Sequence, residues 1–147
     1  MAKEIERKFL VKDRSFVDMA TEAVDIEQGY LSRRVDATVR VRIYGNCGKL
    51  TVKGANCGAV RNEWEYDIPI ADASEMLRNC AEGSVLRKTR YIVPFGGFVW
   101  EVDLFHGNHE GLAVAEIELP DENASFPLPP FVGKEVTGDP AYYNSNL

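Results

Sequence analysis

Seven short segments of this chain alternate charged with apolar residues, and within each segment the charges fall on one face. Side chains of a β-strand point alternately to opposite sides. Glu4, Glu6 and Lys8 therefore oppose Ile5 and Phe9, and Arg40 and Arg42 oppose Val39, Val41 and Ile43. Thr51 and Lys53 oppose Leu50 and Val52, and Glu63 and Glu65 oppose Trp64 and Tyr66. Lys88 and Arg90 share a face; Glu101 and Asp103 oppose Trp100, Val102 and Leu104; Glu116 and Glu118 oppose Ile117 and Leu119. One such strand describes any half-solvated sheet. Seven in a chain of 147 residues say more, because the doublets are nearly pure in sign. Like charges two apart on a strand face repel unless opposite charge lies between them. The pattern implies a surface that holds cations and a polyanion together. The bland alternative is a sheet with one wet face, which would mix in more Ser, Thr, Asn and Gln.

The alternation predicts strands over 4–11, 27–32, 38–44, 49–53, 61–68, 85–92, 98–105 and 112–119, with a short ninth over 134–136. Eight or nine strands suffice to close a small barrel. Two segments carry a helical stripe. The first is Phe16, Met19, Ala20 and Ala23, with Asp13 or Ser15 as N-cap. The second is Met76, Leu77, Cys80 and Ala81, with Asp72 and Glu75 as a capping box and Gly83 as the stop. Turns are expected at 45–48, 54–58 and Gly96-Gly97, and 121–130 reads as a loop.

The length suits one domain. No apolar run approaches membrane-spanning length, and the charged N-terminus lacks a signal-peptide core. Cys47, Cys57 and Cys80 are odd in number and lack metal-ligand spacing, so a reduced, cytoplasmic setting is expected. A net charge of -6 gives no bulk attraction for nucleic acid. His106 and His109 read as exposed turn residues, not as a zinc site. Outward apolar faces would be covered by the two helices or by a second copy in a homodimer.

Carboxylate clusters suit Mg²⁺ or Mn²⁺, which take oxygen ligands and bridge to substrate phosphates. Arginine and lysine clusters suit phosphate oxygens, with arginine forking onto two. The ordered set Glu4-Ile5-Glu6-Arg7-Lys8, Arg40-Val41-Arg42, Leu50-Thr51-Val52-Lys53, Glu63/Glu65, Lys88-Thr89-Arg90-Tyr91, Trp100-Glu101-Val102-Asp103 and Glu116-Ile117-Glu118 resembles the CYTH domain, the triphosphate tunnel metalloenzymes. The stretches 133–137 and 139–147 also resemble its small bacterial members. The resemblance implies an α+β, mainly β fold: a closed eight-stranded antiparallel barrel, or tunnel, with a charged interior and a few flanking helices. It implies a single such domain over 1–147 and chemistry at triphosphates with one or two divalent ions. Carried over by motif, Glu4, Glu6, Glu116 and Glu118 would bind metal, with Glu63, Glu65 and Asp103 as further candidates. Lys8, Arg40, Arg42, Lys53, Lys88 and Arg90 would bind phosphate.

Some members set a tyrosine beside the first lysine, which makes Lys8 with Tyr30 a candidate catalytic pair. Acidic neighbours disfavour an amine acting as a base, so Lys8 fits a phosphate ligand better. In several relatives a C-terminal helix plugs one mouth. The last residue of this chain is Leu147, so a more open tunnel is expected. Hydrolysis of inorganic tripolyphosphate is the leading expectation, because the charged faces read from the doublets carry no aromatic other than Tyr30 to stack a base or thiazole. A class IV adenylate cyclase, a thiamine triphosphatase and a non-catalytic polyphosphate or nucleotide sensor are the alternatives.

Overall fold

The computed structural model describes residues 2–147, with side chains from Glu4 onward. The strands are β1 (Ala2–Val11), β2 (Glu22–Arg34), β3 (Ala37–Tyr44), β4 (Cys47–Gly54), β5 (Val60–Ile68), β6 (Leu86–Phe95), β7 (Phe98–Phe105), β8 (Ala113–Glu118) and β9 (Val132–Glu135). Their order is β5-β4-β3-β2-β6-β7-β8-β1-β9, and a further β5–β1 pairing closes the first eight into an antiparallel barrel. One edge of β1 is shared. Its start pairs with β5 through Ile5, and its end pairs with β9 from Phe9 onward. Closure gives each of the eight strands a partner on both sides, which removes the exposed edges of an open sheet.

The charged faces of all seven doublets turn inward, so the two larger apolar clusters lie outside the barrel wall, while Leu86, Phe105 and Val114 share the inward faces and form a smaller cluster within. The larger cluster joins Phe9, Trp100, Val102, Ile117 and Phe131. Its rings meet edge-on: Phe126 lies 5.8 Å from Trp100, and Phe16 lies 5.8 Å from Phe131. Each such pair is worth about 0.5–1.5 kcal/mol beyond burial. Phe126 and Phe131 belong to the segment between β8 and β9. An irregular loop thus shares the cover of this face with the first helical segment.

The short helix α1 (Phe16–Met19) supplies the fully buried Phe16. It stops well before Ala23, which lies in β2 opposite Tyr91. The expected stripe therefore breaks, because the β2–β6 ladder over 22–28 claims those residues. Helix α2 (Ile70–Asn79) buries Ala73 and Leu77 against β2, β3 and β4. It starts two residues before Asp72, with Pro69 at the cap and no side-chain cap bond, so the expected capping box does not form. Cys80 is exposed, not part of the stripe. Trp64 is only partly buried and Tyr66 is 61% exposed on the outer face of β5.

Two sites show glycine fixed by geometry. Gly96 and Gly97 have φ of 59° and 81° and close the β6–β7 hairpin. That left-handed region admits glycine readily and other residues poorly. At Gly48 a Cβ would lie 2.6 Å from the Ile68 carbonyl oxygen across the β4–β5 ladder. Gly48→Ala is expected to cost about 1–3 kcal/mol by overpacking, read as a lower denaturant midpoint with an unchanged slope. Among the described residues no helix is long and apolar enough to cross a membrane.

Candidate functional site

The bore encloses a cavity of about 370 Å³, near the small end of the range for small-molecule sites. Strand order divides its lining into two halves. Neighbouring strands β7, β8, β1 and β5 contribute Glu101, Glu116, Glu118, Glu4, Glu6, Glu63 and Glu65. Strands β4, β3 and β6 contribute Lys49, Lys53, Arg40, Arg42, Lys88 and Arg90, with Tyr30 from the intervening β2. An acidic wall thus faces a basic one. Lys8 and Arg61 are the basic side chains set into the acidic half.

The carboxylates are crowded. Glu4 is hydrogen-bonded to Glu63, and Glu6 to Glu116. Burial, then the charges of Glu116 and Glu4, raise Glu6 well above the usual carboxylate range. The hydrogen bond from Glu4, followed by burial, pushes Glu63 up to about 7. Burial also pushes Glu116 up, but the Lys8 charge and the Glu6 hydrogen bond outweigh it and bring Glu116 down to about 2. Crowding and burial thus favour the protonated form at Glu6 and Glu63 and the ionised form at Glu116. Lys53 holds Glu4 at 3.0 Å and Glu63 at 3.6 Å.

Among the described residues no three acidic groups converge as a preformed metal cage. The donor set nevertheless fits a divalent ion of the magnesium type. Such an ion is held by one or two carboxylates plus phosphates and keeps its waters, and it takes the place of their protons.

The acidic wall makes stability depend on pH. Glu63 binds a proton in the folded state that the unfolded chain releases above its ordinary value of 4.5. Its stabilisation is complete below that value and is lost as pH rises through about 7. Glu6 acts in the same direction. Thermal midpoints measured in chelator are expected to fall between about pH 5 and 7, and Glu63→Gln is expected to flatten that fall; above 7 the lowered Lys88 acts in the opposite direction.

The basic wall is frustrated in the opposite sense. Burial, then the charges of Arg40 and Arg90, disfavour the Arg42 cation. Arg42 Nε donates to Gln28 Oε1 at 2.8 Å. Arg40 donates to Thr51 Oγ1 at 3.3 Å and lies 3.8 Å from Glu65, but its Nε is buried with no partner. Burial brings Lys88 down to about 7, against the pull of Asp103.

Asp103 is a candidate metal ligand by motif, and its position argues otherwise. It is 2% exposed and does not line the cavity. It accepts from Arg90 at 2.8 and 3.0 Å and lies 2.6 Å from Lys88 Nζ. Burial opposes its charge, yet Arg90 and then Lys88 hold it far below the usual carboxylate range. Its doublet partner Glu101 faces the bore instead and lies 3.3 Å from Arg90. The two differ because Glu101 pairs across β7–β8 with Glu116, whereas Asp103 pairs with Arg90 and Val114.

Lys8 Nζ donates to the Tyr142 carbonyl at 3.0 Å, and Lys8 stands opposite Glu116 in the β1–β8 register. Tyr30 is buried with the Arg33 guanidinium 5.1 Å over its ring. Tyr44 and Tyr143 also line the cavity, so Tyr30 is not the one aromatic there. Tyr44, Lys49 and Arg61 are readable by strand parity, since each shares a face with a named doublet. Asn56, Thr137 and Asn144 lie in turns and the tail, where no periodicity points to them.

As expected, no long C-terminal helix follows β9 among the described residues. After β9 the chain makes two 3₁₀ turns, Pro140–Tyr142 and Asn144–Asn146, and Tyr143, Asn144 and Ser145 line the cavity. Two short turns thus border the cavity where relatives are expected to place a helix.

A closed antiparallel barrel with an acidic wall facing a basic wall defines a tunnel protein built for a polyanion and its counter-cations. The CYTH domain model matches residues 2–143, and the chain belongs to that family. It is 51% identical to an inorganic triphosphatase of Acetivibrio thermocellus over 147 residues, all of this chain and 94% of the relative. It is 38% identical to an inorganic triphosphatase of Nitrosomonas europaea, covering 98% of this chain and 95% of that one. A crystal structure of an inorganic triphosphatase superposes with a TM-score of 0.70 at 35% identity, covering 97% of this chain and 95% of that one.

Proposed function

We infer that this chain is a divalent-metal-dependent hydrolase of inorganic tripolyphosphate. The observation that carries this reading is the opposed pair of walls. Carboxylates crowd one side, where burial and mutual repulsion disfavour the charge of Glu6, and on the other Arg40 keeps an unpartnered buried Nε beside Arg42 and Arg90. A metal–polyphosphate complex relieves both. Relatives named inorganic triphosphatases at 51% and 38% identity support the same substrate.

In this reading Arg40, Arg42, Lys53, Lys88, Arg90 and Lys8 hold the phosphate oxygens. Glu4, Glu6, Glu116 and Glu118 hold Mg²⁺ or Mn²⁺, with Glu63 and Glu65 flanking them. When bound, the metal supplies Lewis-acid charge to the phosphate oxygens. Phosphoryl transfer otherwise needs positioning and charge neutralisation more than covalent chemistry. Water attacks the terminal phosphorus, the phosphoanhydride P–O bond breaks, and pyrophosphate and orthophosphate leave. Lys8 serves as a phosphate ligand because its ammonium is engaged as a donor. Tyr30 borders the phosphate track. The setting is cytoplasmic.

The test is phosphate release from tripolyphosphate, ATP and thiamine triphosphate with Mg²⁺, with Mn²⁺ and with chelator, assaying cyclic AMP in the ATP sample. Metal-dependent release, fastest from tripolyphosphate, is expected. Cyclic AMP would replace this reading with a cyclase, and tight binding without turnover would replace it with a sensor.

A further inference from the structure

The segment after β9 does more than fill space. Its contacts reach around one mouth of the barrel. Thr137 Oγ1 accepts from the Lys8 backbone N–H at 2.9 Å, and the Tyr142 carbonyl accepts from Lys8 Nζ at 3.0 Å. Asn144 Oδ1 accepts from Lys88 Nζ at 3.0 Å and from Gln28 Nε2 at 3.4 Å. The Ser145 carbonyl accepts from Arg33, and Asn56 donates to the Tyr143 hydroxyl at 3.2 Å. Leu147 packs on the apolar cluster of Leu86, Phe105 and Val114. Strands β1, β2 and β6 and the β4–β5 turn are thereby tied to one short segment.

The tail turns acceptors inward. The two lysines at this mouth, Lys8 and Lys88, donate to tail oxygens. A phosphate group pushed past them would meet the lone pairs of Asn144 Oδ1 and the Tyr142 carbonyl. Burying an anion against acceptors without a donor is costly.

We propose that the tail, through Asn144, is a length stop: it ends the phosphate track and selects tripolyphosphate over longer linear polyphosphates. The stop rests on the tripolyphosphate reading above and adds a determinant of chain length to it. A tetrapolyphosphate admitted past the stop would be cut by the same addition of water, giving tripolyphosphate and orthophosphate.

Two full-length variants test it. Asn144→Ala removes the acceptor at the stop. Leu147→Ser loosens the anchor without touching the phosphate track. Rates on tripolyphosphate, tetrapolyphosphate and long-chain polyphosphate would be measured with Mg²⁺, alongside calorimetric binding of the first two, after thermal unfolding shows each variant folded. The tetra-to-tri ratio is expected to rise about tenfold in each, the equivalent of ~1.4 kcal/mol of discrimination. Folded variants that keep the ratio of the unaltered protein would overturn the stop. So would an unaltered protein that binds tetrapolyphosphate as tightly as tripolyphosphate. If tripolyphosphate is bound but not cleaved, the hydrolase reading fails, and the binding preference of the variants still decides the stop.

Discussion

Asp103→Ala is expected to destabilise the protein by about 3–5 kcal/mol, because it leaves Lys88 buried without its counter-charge and Arg90 with Glu101 alone. For a domain of this size that is a fall of roughly 10 °C in thermal midpoint. Adding Lys88→Met is expected to recover part of the loss, since it removes the stranded cation. A double-mutant cycle by thermal or denaturant unfolding measures that coupling. The milder Asp103→Asn separates two roles. If Asp103 orients Arg90 and Lys88, the variant raises KM for tripolyphosphate and leaves the half-saturating Mg²⁺ concentration unchanged. A large shift in the Mg²⁺ requirement would instead return Asp103 to the metal site.

Glu6→Gln is expected to act in the opposite way, lowering activity while sparing the fold. Glu6 faces Glu118 and shares a hydrogen bond with Glu116, with Glu4 close by. The amide replaces a carboxyl that burial, Glu116 and Glu4 already hold towards its neutral form, so the metal-free thermal midpoint is expected to hold, and to rise at the high pH where the acid would ionise. The same change removes a metal ligand in the proposed mechanism. Loss of a preorganised electrostatic group lowers kcat by about 10²–10³. Phosphate release and thermal unfolding on the same preparation check both halves. Undiminished turnover would remove Glu6 from the metal site, and a lower midpoint would show that its carboxylate is structural.

These expectations follow from an arrangement that is partly legible in the residues. Strand parity is a local property, so Glu4/Glu6, Arg40/Arg42 and Glu116/Glu118 are assignable to one face before any partner strand is known. The same parity holds Tyr44, Lys49 and Arg61, which escape a search for doublets because each stands outside a like-charged pair. Parity does not separate Glu101 from Asp103. Both point inward, and only the register of β7 against β6 and β8 makes one a cavity residue and the other a buried anchor. Local stripes mislead at Ala23, where an extended ladder outcompetes a helix only four residues long.

The sequence by itself determined that seven strands carry charge on one face, that acids and bases are segregated strand by strand, and which family those motifs resemble. Each of these depends on neighbours in the chain. Tertiary structure decided what the charges do. The order β7-β8-β1-β5 gathers the acids and β4-β3-β2-β6 gathers the bases, because closure sets which strands are adjacent regardless of their place in sequence. It also decided that an irregular loop helps cover the main apolar face and that a tail of two short turns borders the cavity. Some of those contacts join residues more than a hundred positions apart, such as Lys8 with Tyr142, and no local period encodes a pairing at that distance.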